Sequence, residues 1–202
     1  MKGLVKDYAR PNRYWVQFGI PYVMLTNLLT TKMKDIELNC HQAAFPALSI
    51  GTSEQRTAGP IRKMPNDLIY TEASLGFYSD SEFNIRNYFD AWIHNTFDQE
   101  TKNFEYYENY TSYIVIMQYD NAGKIVHGVK LLEAYPTTLS EITLGYDQVD
   151  TIETFGVTFT YRNWEKIPGI GGAESFINDL APSFIDEGAA VNSISSAVNN
   201  FF

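Results

Sequence analysis

The sequence holds one cysteine, Cys40, and three histidines among 202 residues. A single thiol excludes an internal disulfide framework, and His41, His94 and His127 are too scattered for the usual zinc-ligand spacings. Catalytic signatures are missing too: there is no G-x-S-x-G, no Walker phosphate loop, no H-E-x-x-H and no G-x-G-x-x-G. No apolar run approaches the roughly 18 residues of a membrane span. The opening stretch MKGLVKDYARPN lacks the apolar core of a secretory signal. These absences predict a protein with no cofactor, no metal and no reaction of its own, held in the cytosol until it is assembled or released.

Positive charge is short as well. The net charge is −9, and it is uneven. Residues 1–70 hold nine Lys/Arg against five Asp/Glu, residues 71–164 five against fourteen, and residues 165–202 one against five. Phosphate binding rests on Lys/Arg and counterion release, so a chain without a basic stripe is a poor grip for nucleic acid. It remains suited to lie beside nucleic acid that must not be held.

The few reactive groups read as structural. Neighbours in a strand point to opposite faces, so Cys40 and His41 cannot pair as nucleophile and base, and Cys40 reads as a small core residue. The carboxylate pairs Asp98/Glu100 and Glu105/Glu108 read as solvated surface charge, and the Asn109-Tyr110-Thr111 triplet as chance.

Aromatics are plentiful, with 13 Phe, 14 Tyr and 3 Trp in a composition that is 45% hydrophobic. They favour strands, and this length can bury a core without staples. A mainly β fold follows, with strands expected over 14–20 (YWVQFGI) and around Met33, Ile36, Leu38 and Cys40. In the second, alternation is preferred to helical spacing. Residues 45–66, with three prolines, two glycines and three basic residues, form a long excursion read as either a partner-contacting hairpin or a solvated loop. Residues 68–77 return as a strand.

One main helix is expected over about 80–97. Ser79 and Glu82 have capping-box spacing, and Ile85, Tyr88, Phe89, Trp92, Ile93 and Phe97 form its apolar stripe. A hairpin follows, TSYIVIMQY turning at residues 120–124 into IVHGVKLL, with apolar residues on both faces that need cover. Pro136 is expected to end one strand and Ile142, Leu144 and Tyr146 to start another. In TFGVTFTYR, Phe155, Val157, Phe159 and Tyr161 face a core, opposite Thr154, Gly156, Thr158 and Thr160 on a wet face. Residues 168–172 read as a linker. Beyond them come two short amphipathic helical pieces that dock on their own domain or on another subunit.

Several stretches occur in a telling order: Ala9-Arg10-Pro11-Asn12 before an aromatic strand, a helix ending in Trp92-Ile93, the TSYIVIMQYD hairpin, Ala134-Tyr135-Pro136-Thr137, and IETFGVTF followed by Trp164-Glu165. In this order the chain resembles the tail tube proteins of contractile-tailed bacteriophages over residues 8–165. The resemblance implies two packed antiparallel sheets in a β-sandwich or barrel, flanked by a helix and forming hexameric rings that stack into a hollow tube inside a contractile sheath. It implies partners in further copies of the chain, sheath subunits, and baseplate and tail terminator proteins, with DNA passing the lumen without specific binding. The location implied is the virion tail.

On that reading residues 1–165 form the tube-like domain and 166–202 a partly helical extension. Pro46, Ile50, Arg56, Pro60, Arg62 and Lys63 belong to a ring-stacking loop, and Thr154, Thr158 and Thr160 face the channel. The extension departs from shorter family members and keeps a second role open, that of a baseplate-proximal tube initiator or adaptor.

Overall fold

A computed structural model describes residues 9–25, 33–56, 59–121, 123–146 and 150–167. The expected linker and the helical pieces beyond it lie outside these residues. Nine strands run β1 Tyr14–Phe18, β2 Cys40–Ala43, β3 Leu48–Gln55, β4 Arg62–Tyr70, β5 Ala73–Tyr78, β6 Ser112–Tyr119, β7 Ile125–Leu139, β8 Thr154–Thr160 and β9 Asn163–Lys166. Helices are α1 Met33–Leu38, α2 Asn84–Thr96 and α3 Tyr107–Tyr110, and a 3-10 turn at Tyr22–Met24 precedes them. The chain divides into two compact units. The larger is Trp15–Ile116 with Val129–Glu165; the smaller combines Met117–Gly128 with described residues 9–14, 166 and 167.

Seven strands make one sheet in the order β1-β6-β7-β8-β5-β2, with β9 on β7; β3 and β4 make a separate antiparallel pair. Neighbouring strands lie about 4.8 Å apart, so a flat sheet would hold β1 roughly 14 Å from β8 and 19 Å from β5. The Phe18 ring on β1 nevertheless lies 6.1 Å from Phe159 on β8 and 6.0 Å from Phe77 on β5. The sheet therefore curls over itself, and its two halves supply the layered core. Neither sheet closes into a barrel, and the second is a hairpin exposed on both sides instead of a layer facing the first.

Helix α2 fills the hollow of the curl. Ile85, Tyr88, Phe89 and Trp92 are buried at helical spacing, as expected. Phe89 sits 4.9 Å from Phe77 and 5.9 Å from Phe159, and Trp92 donates its indole N–H to the Tyr110 carbonyl at 2.8 Å. The cap differs from expectation. Asp80, not Ser79, accepts the free N–H groups of Asn84 and Ile85, at 3.1 and 3.3 Å, while Phe83 takes a left-handed φ of 58°. An aspartate oxygen satisfies the orphan amides of a helix start as well as a serine does.

Four strand expectations are corrected. Met33–Leu38 is helical, because Met33 and Ile36 also fit i, i+3: Ile36 is buried while Leu38 is 66% exposed, and Cys40, also buried, opens β2. Residues 68–77 are not one strand but the end of β4 and then β5, separated at Thr71-Glu72. Pro136 does not end its strand; β7 continues to Leu139, with a register shift between Pro136 and Thr138 that absorbs the missing N–H. Ile142, Leu144 and Tyr146 start no strand, and the last two are solvent-exposed.

The β6–β7 hairpin and the β8 alternation agree with expectation. Ile114, Val115, Ile116 and Met117 are all buried, so both faces of β6 are covered. In β8, Phe155, Val157 and Phe159 are buried while Thr154 is exposed. Cys40 is buried, and that burial pushes its thiol up to about 12. In the smaller unit, Tyr119 N–H donates to Arg13 O at 2.9 Å, and Ile167 N–H to Gly128 O at 2.8 Å.

Candidate functional site

Among the described residues no group of three or more His, Cys, Asp or Glu is placed to hold a metal ion. No described helix is long and apolar enough to cross a membrane. The surfaces left to examine are a hairpin, a polar stripe and an aromatic segment.

The hairpin realises the 45–66 excursion and extends it to Tyr70. Its register pairs Leu48 with Tyr70, Ile50 with Leu68, Glu54 with Lys63 and Gln55 with Arg62. A shift between Gly51 and Thr52 leaves Asn66 as the extra residue and admits Pro65, which has no N–H to give a ladder. Strand alternation puts Leu48, Ile50, Leu68 and Tyr70 on one face. Ile50 is 61% exposed, an unusual place for a β-branched apolar side chain paired with a leucine.

At the base of the hairpin, Tyr70 packs edge-on against Tyr161 at 6.1 Å, and the Tyr161 hydroxyl donates to the Thr71 carbonyl at 2.6 Å. Thr71 also bonds Ala47 in both directions at 3.1 Å. These contacts hold the arm at its root and leave its length free. The six residues expected in a stacking loop all fall on it or at its ends. Pro46 is half-buried before β3, Ile50 sits on β3, Arg56 and Pro60 lie by the turn, and Arg62 and Lys63 start β4; these last five are exposed.

The polar stripe lies on the face of β8 opposite the core. Thr154 is exposed, and Thr158 and Thr160 are half-buried. Thr158 is flanked in register by Ser74 on β5 and Thr138 on β7, and its carbonyl accepts Thr137 Oγ1 at 3.2 Å. Gly156 lies opposite Gly76, and its N–H donates to Ser140 Oγ at 2.7 Å. A Cβ on Gly76 would stand 3.0 Å from His41 Nε2, which explains the glycine there. The stripe is hydroxyl-rich and carries no Lys or Arg at these positions.

Sequence reasoning missed the third surface. Residues 97–110, FDQETKNFEYYENY, leave α2, return through a Phe97–Phe104 bridge and run into α3. Phe104 and Tyr106 are 74% and 82% exposed, so the segment is an aromatic surface as well as a charged one. Its polar groups are locally organised. Thr101 Oγ1 donates to Asp98 at 2.7 Å and holds that carboxyl below its ordinary value. Arg162 does the same for Glu133 at 2.8 Å, and burial followed by a hydrogen bond to Glu133 pushes Tyr107 up to about 12. The density of aromatics in a polar run was the signal available.

Known proteins with this fold narrow the reading. The profile of a family described as phage tail tube protein matches residues 9–167. No curated protein matches by sequence search. Among solved structures, the anti-feeding prophage baseplate contains a chain 12% identical, with a TM-score of 0.57 over 80% of this chain and 97% of that one. The PVC sheath-tube complex of an extracellular contractile injection system, in its extended state, contains one 16% identical, with a TM-score of 0.56 over 82% and 95%. The sheath/tube terminator of the same system contains one 19% identical, with a TM-score of 0.55 over 80% and 98%. At these identities the likeness is one of fold.

Proposed function

The chain belongs to the phage tail tube protein family, and from that premise we propose that it is the subunit of the inner tube of a contractile tail. It assembles as hexameric rings that stack into a channel for DNA, performs no reaction, and resides in the virion tail after assembly in the host cytoplasm. Sheath subunits surround it, and baseplate and terminator proteins meet its ends.

The observation that carries this reading is the β3–β4 arm. A two-stranded hairpin is marginally stable alone, and exposed edges with apolar side chains invite pairing. Such an arm is explained when a neighbouring ring covers it. The hydroxyl-rich face of β8 supports the channel assignment, because a wall without cations lets phosphates slide.

Electron microscopy of the purified protein tests the reading: stacked sixfold rings are expected, and a strictly monomeric protein across concentration, salt and temperature overturns it. Deleting residues 47–64 should stop stacking while sparing the fold, and tubes of normal length would remove the arm's role. Thr158→Lys or Thr160→Lys should slow DNA passage in particles, and unchanged ejection kinetics would remove the channel assignment.

A second reading rests on the family match ending at residue 167 of 202. The residues beyond it suit a baseplate-proximal initiator or adaptor of the same fold. That role requires one or a few rings per particle, which copy number in purified particles separates from a full tube.

A further inference from the structure

The aromatic segment borders a groove. Its walls are Tyr22, Val23 and Leu25 of the 3-10 turn, Asn95 at the end of α2, and Glu105 and Asn109 near α3, enclosing about 490 Å³. Tyr22 and Leu25 are 69% and 51% exposed and give the groove an apolar rim, while the exposed Phe104 and Tyr106 flank Glu105 in sequence. The walls are fixed by hydrogen bonds: Asn95 Nδ2 donates to Val23 O at 3.3 Å, Glu105 N–H to Thr96 O at 3.0 Å, and Asn109 Nδ2 to Glu105 Oε1 at 2.6 Å. A preformed rim of this kind can seat a partner without first ordering itself.

The charge and side chains of the groove match another part of the same chain. Residues 97–110 hold Asp98, Glu100, Glu105 and Glu108 against Lys102 alone. Residues 45–66 hold Arg56, Arg62 and Lys63 against Glu54 alone. Those three cations form no ion pair among the described residues, and Ile61 and Met64 beside them are exposed. One surface offers an apolar rim with carboxylates; the other offers apolar side chains with cations.

We propose that the groove receives the turn end of the β3–β4 hairpin of a second copy of this chain. Met64 seats against Tyr22 and Leu25 while Arg62, on the same face of β4, meets Glu105; Ile61 and Lys63 lie beside them toward Tyr106 and Glu108. The inference rests on the tube-subunit reading and names the receiving surface for the arm. Opposite potentials steer the encounter and fix its register, and the apolar pair supplies the contact that excludes water.

Two experiments on the full chain test it. Glu105→Arg with Glu108→Arg should raise the protein concentration needed for tubes at least tenfold, leaving circular dichroism unchanged, and adding Arg62→Glu with Lys63→Glu in the same chain should restore assembly. Separately, an Arg62→Cys protein mixed with a Glu105→Cys protein should give oxidised dimers that neither gives alone. If wild-type tubes form but the mixture cross-links no more than its parts, the groove assignment is overturned and the tube reading stands. Charge-reversed chains that build normal tubes and lose only sheath attachment also overturn it, and assign the groove to the sheath. If wild-type protein forms neither rings nor tubes, the tube reading falls and takes this inference with it.

Discussion

Gly19 follows β1 where the chain passes a neighbouring strand, and its N–H donates to the Tyr113 carbonyl at 2.8 Å. A Cβ added there would meet Ser112 Oγ and lie 2.6 and 2.7 Å from two carbons of the Tyr113 ring. The serine can rotate away. The ring cannot move freely, because Lys130 Nζ sits 4.9 Å above its centroid. Overpacking of this kind costs about 1–3 kcal/mol, and losing the cation–π contact adds about 0.5–1 kcal/mol. Reduced freedom of the unfolded chain returns about 0.4–1 kcal/mol. Gly19→Ala should therefore destabilise by about 0.5–3.6 kcal/mol, lowering Tm by roughly 1–14 °C for a chain of this size. Calorimetry at one fixed protein concentration reads it, so that assembly does not vary between variants. The decisive comparison is Gly19→Ala in a Tyr113→Ala background, where the ring is gone and the substitution should be neutral or slightly stabilising. Equal cost in both backgrounds refutes the steric argument, as does a neutral Gly19→Ala in the parent.

Phe89→Ala removes a fully buried ring that touches Phe18, Phe77 and Phe159, and should cost about 3–5 kcal/mol in urea unfolding followed by tryptophan fluorescence. Asp80→Ala should cost about 1 kcal/mol by the same measurement, with Asp80→Asn recovering most of it, because Asp80 caps two amides of α2. Cys40 should resist thiol reagents at pH 8 until the protein unfolds, since burial pushes its thiol up to about 12 from an ordinary value of 9.0. A raised folded value means that this group's contribution to stability is whole below pH 9 and fades between 9 and about 12; prompt labelling of native protein would contradict it. Glu133 should titrate by NMR below an ordinary glutamate and return upward in Arg162→Ala, because the Arg162 hydrogen bond is the largest cause of its shift.

What could be read in advance depended on whether one periodicity dominated. In β8 only alternation fits Phe155, Val157 and Phe159, and the strand forms as expected. In α2 the apolar stripe fits only a helix, and it is one. Met33 and Ile36 fit a helix while Ile36, Leu38 and Cys40 fit a strand, so tertiary packing decided, burying Ile36 and leaving Leu38 in water. Pro136 failed as a stop signal because a bulge in the β7–β8 pairing accommodates the missing donor. The hairpin was legible as an excursion, from its prolines and glycines. Its two-sided exposure was not legible, since an apolar residue such as Ile50 ordinarily implies cover. The groove was invisible for a simpler reason: Tyr22 and Glu105 are joined only by folding.

A tube built from one kind of subunit needs two different contacts, one around the ring and one along the axis. Contacts that join unlike patches can repeat; those around the ring close when the rotation closes, and those along the axis stay open. In the proposed contact the arm and the groove are unlike patches on the same chain, opposite in charge, so it would repeat without ending at a dimer. The ring contact then falls to other surfaces. In the larger unit β2 is an end strand of the seven-stranded order, only four residues long, and among the described residues it pairs with β5 alone. Its outer edge carries backbone donors and acceptors that a neighbour's strand can take. On the proposed tube reading, the segregated charge lets a basic arm and an acidic groove attract across copies, and a channel-facing stripe on β8 is expected to carry no cations.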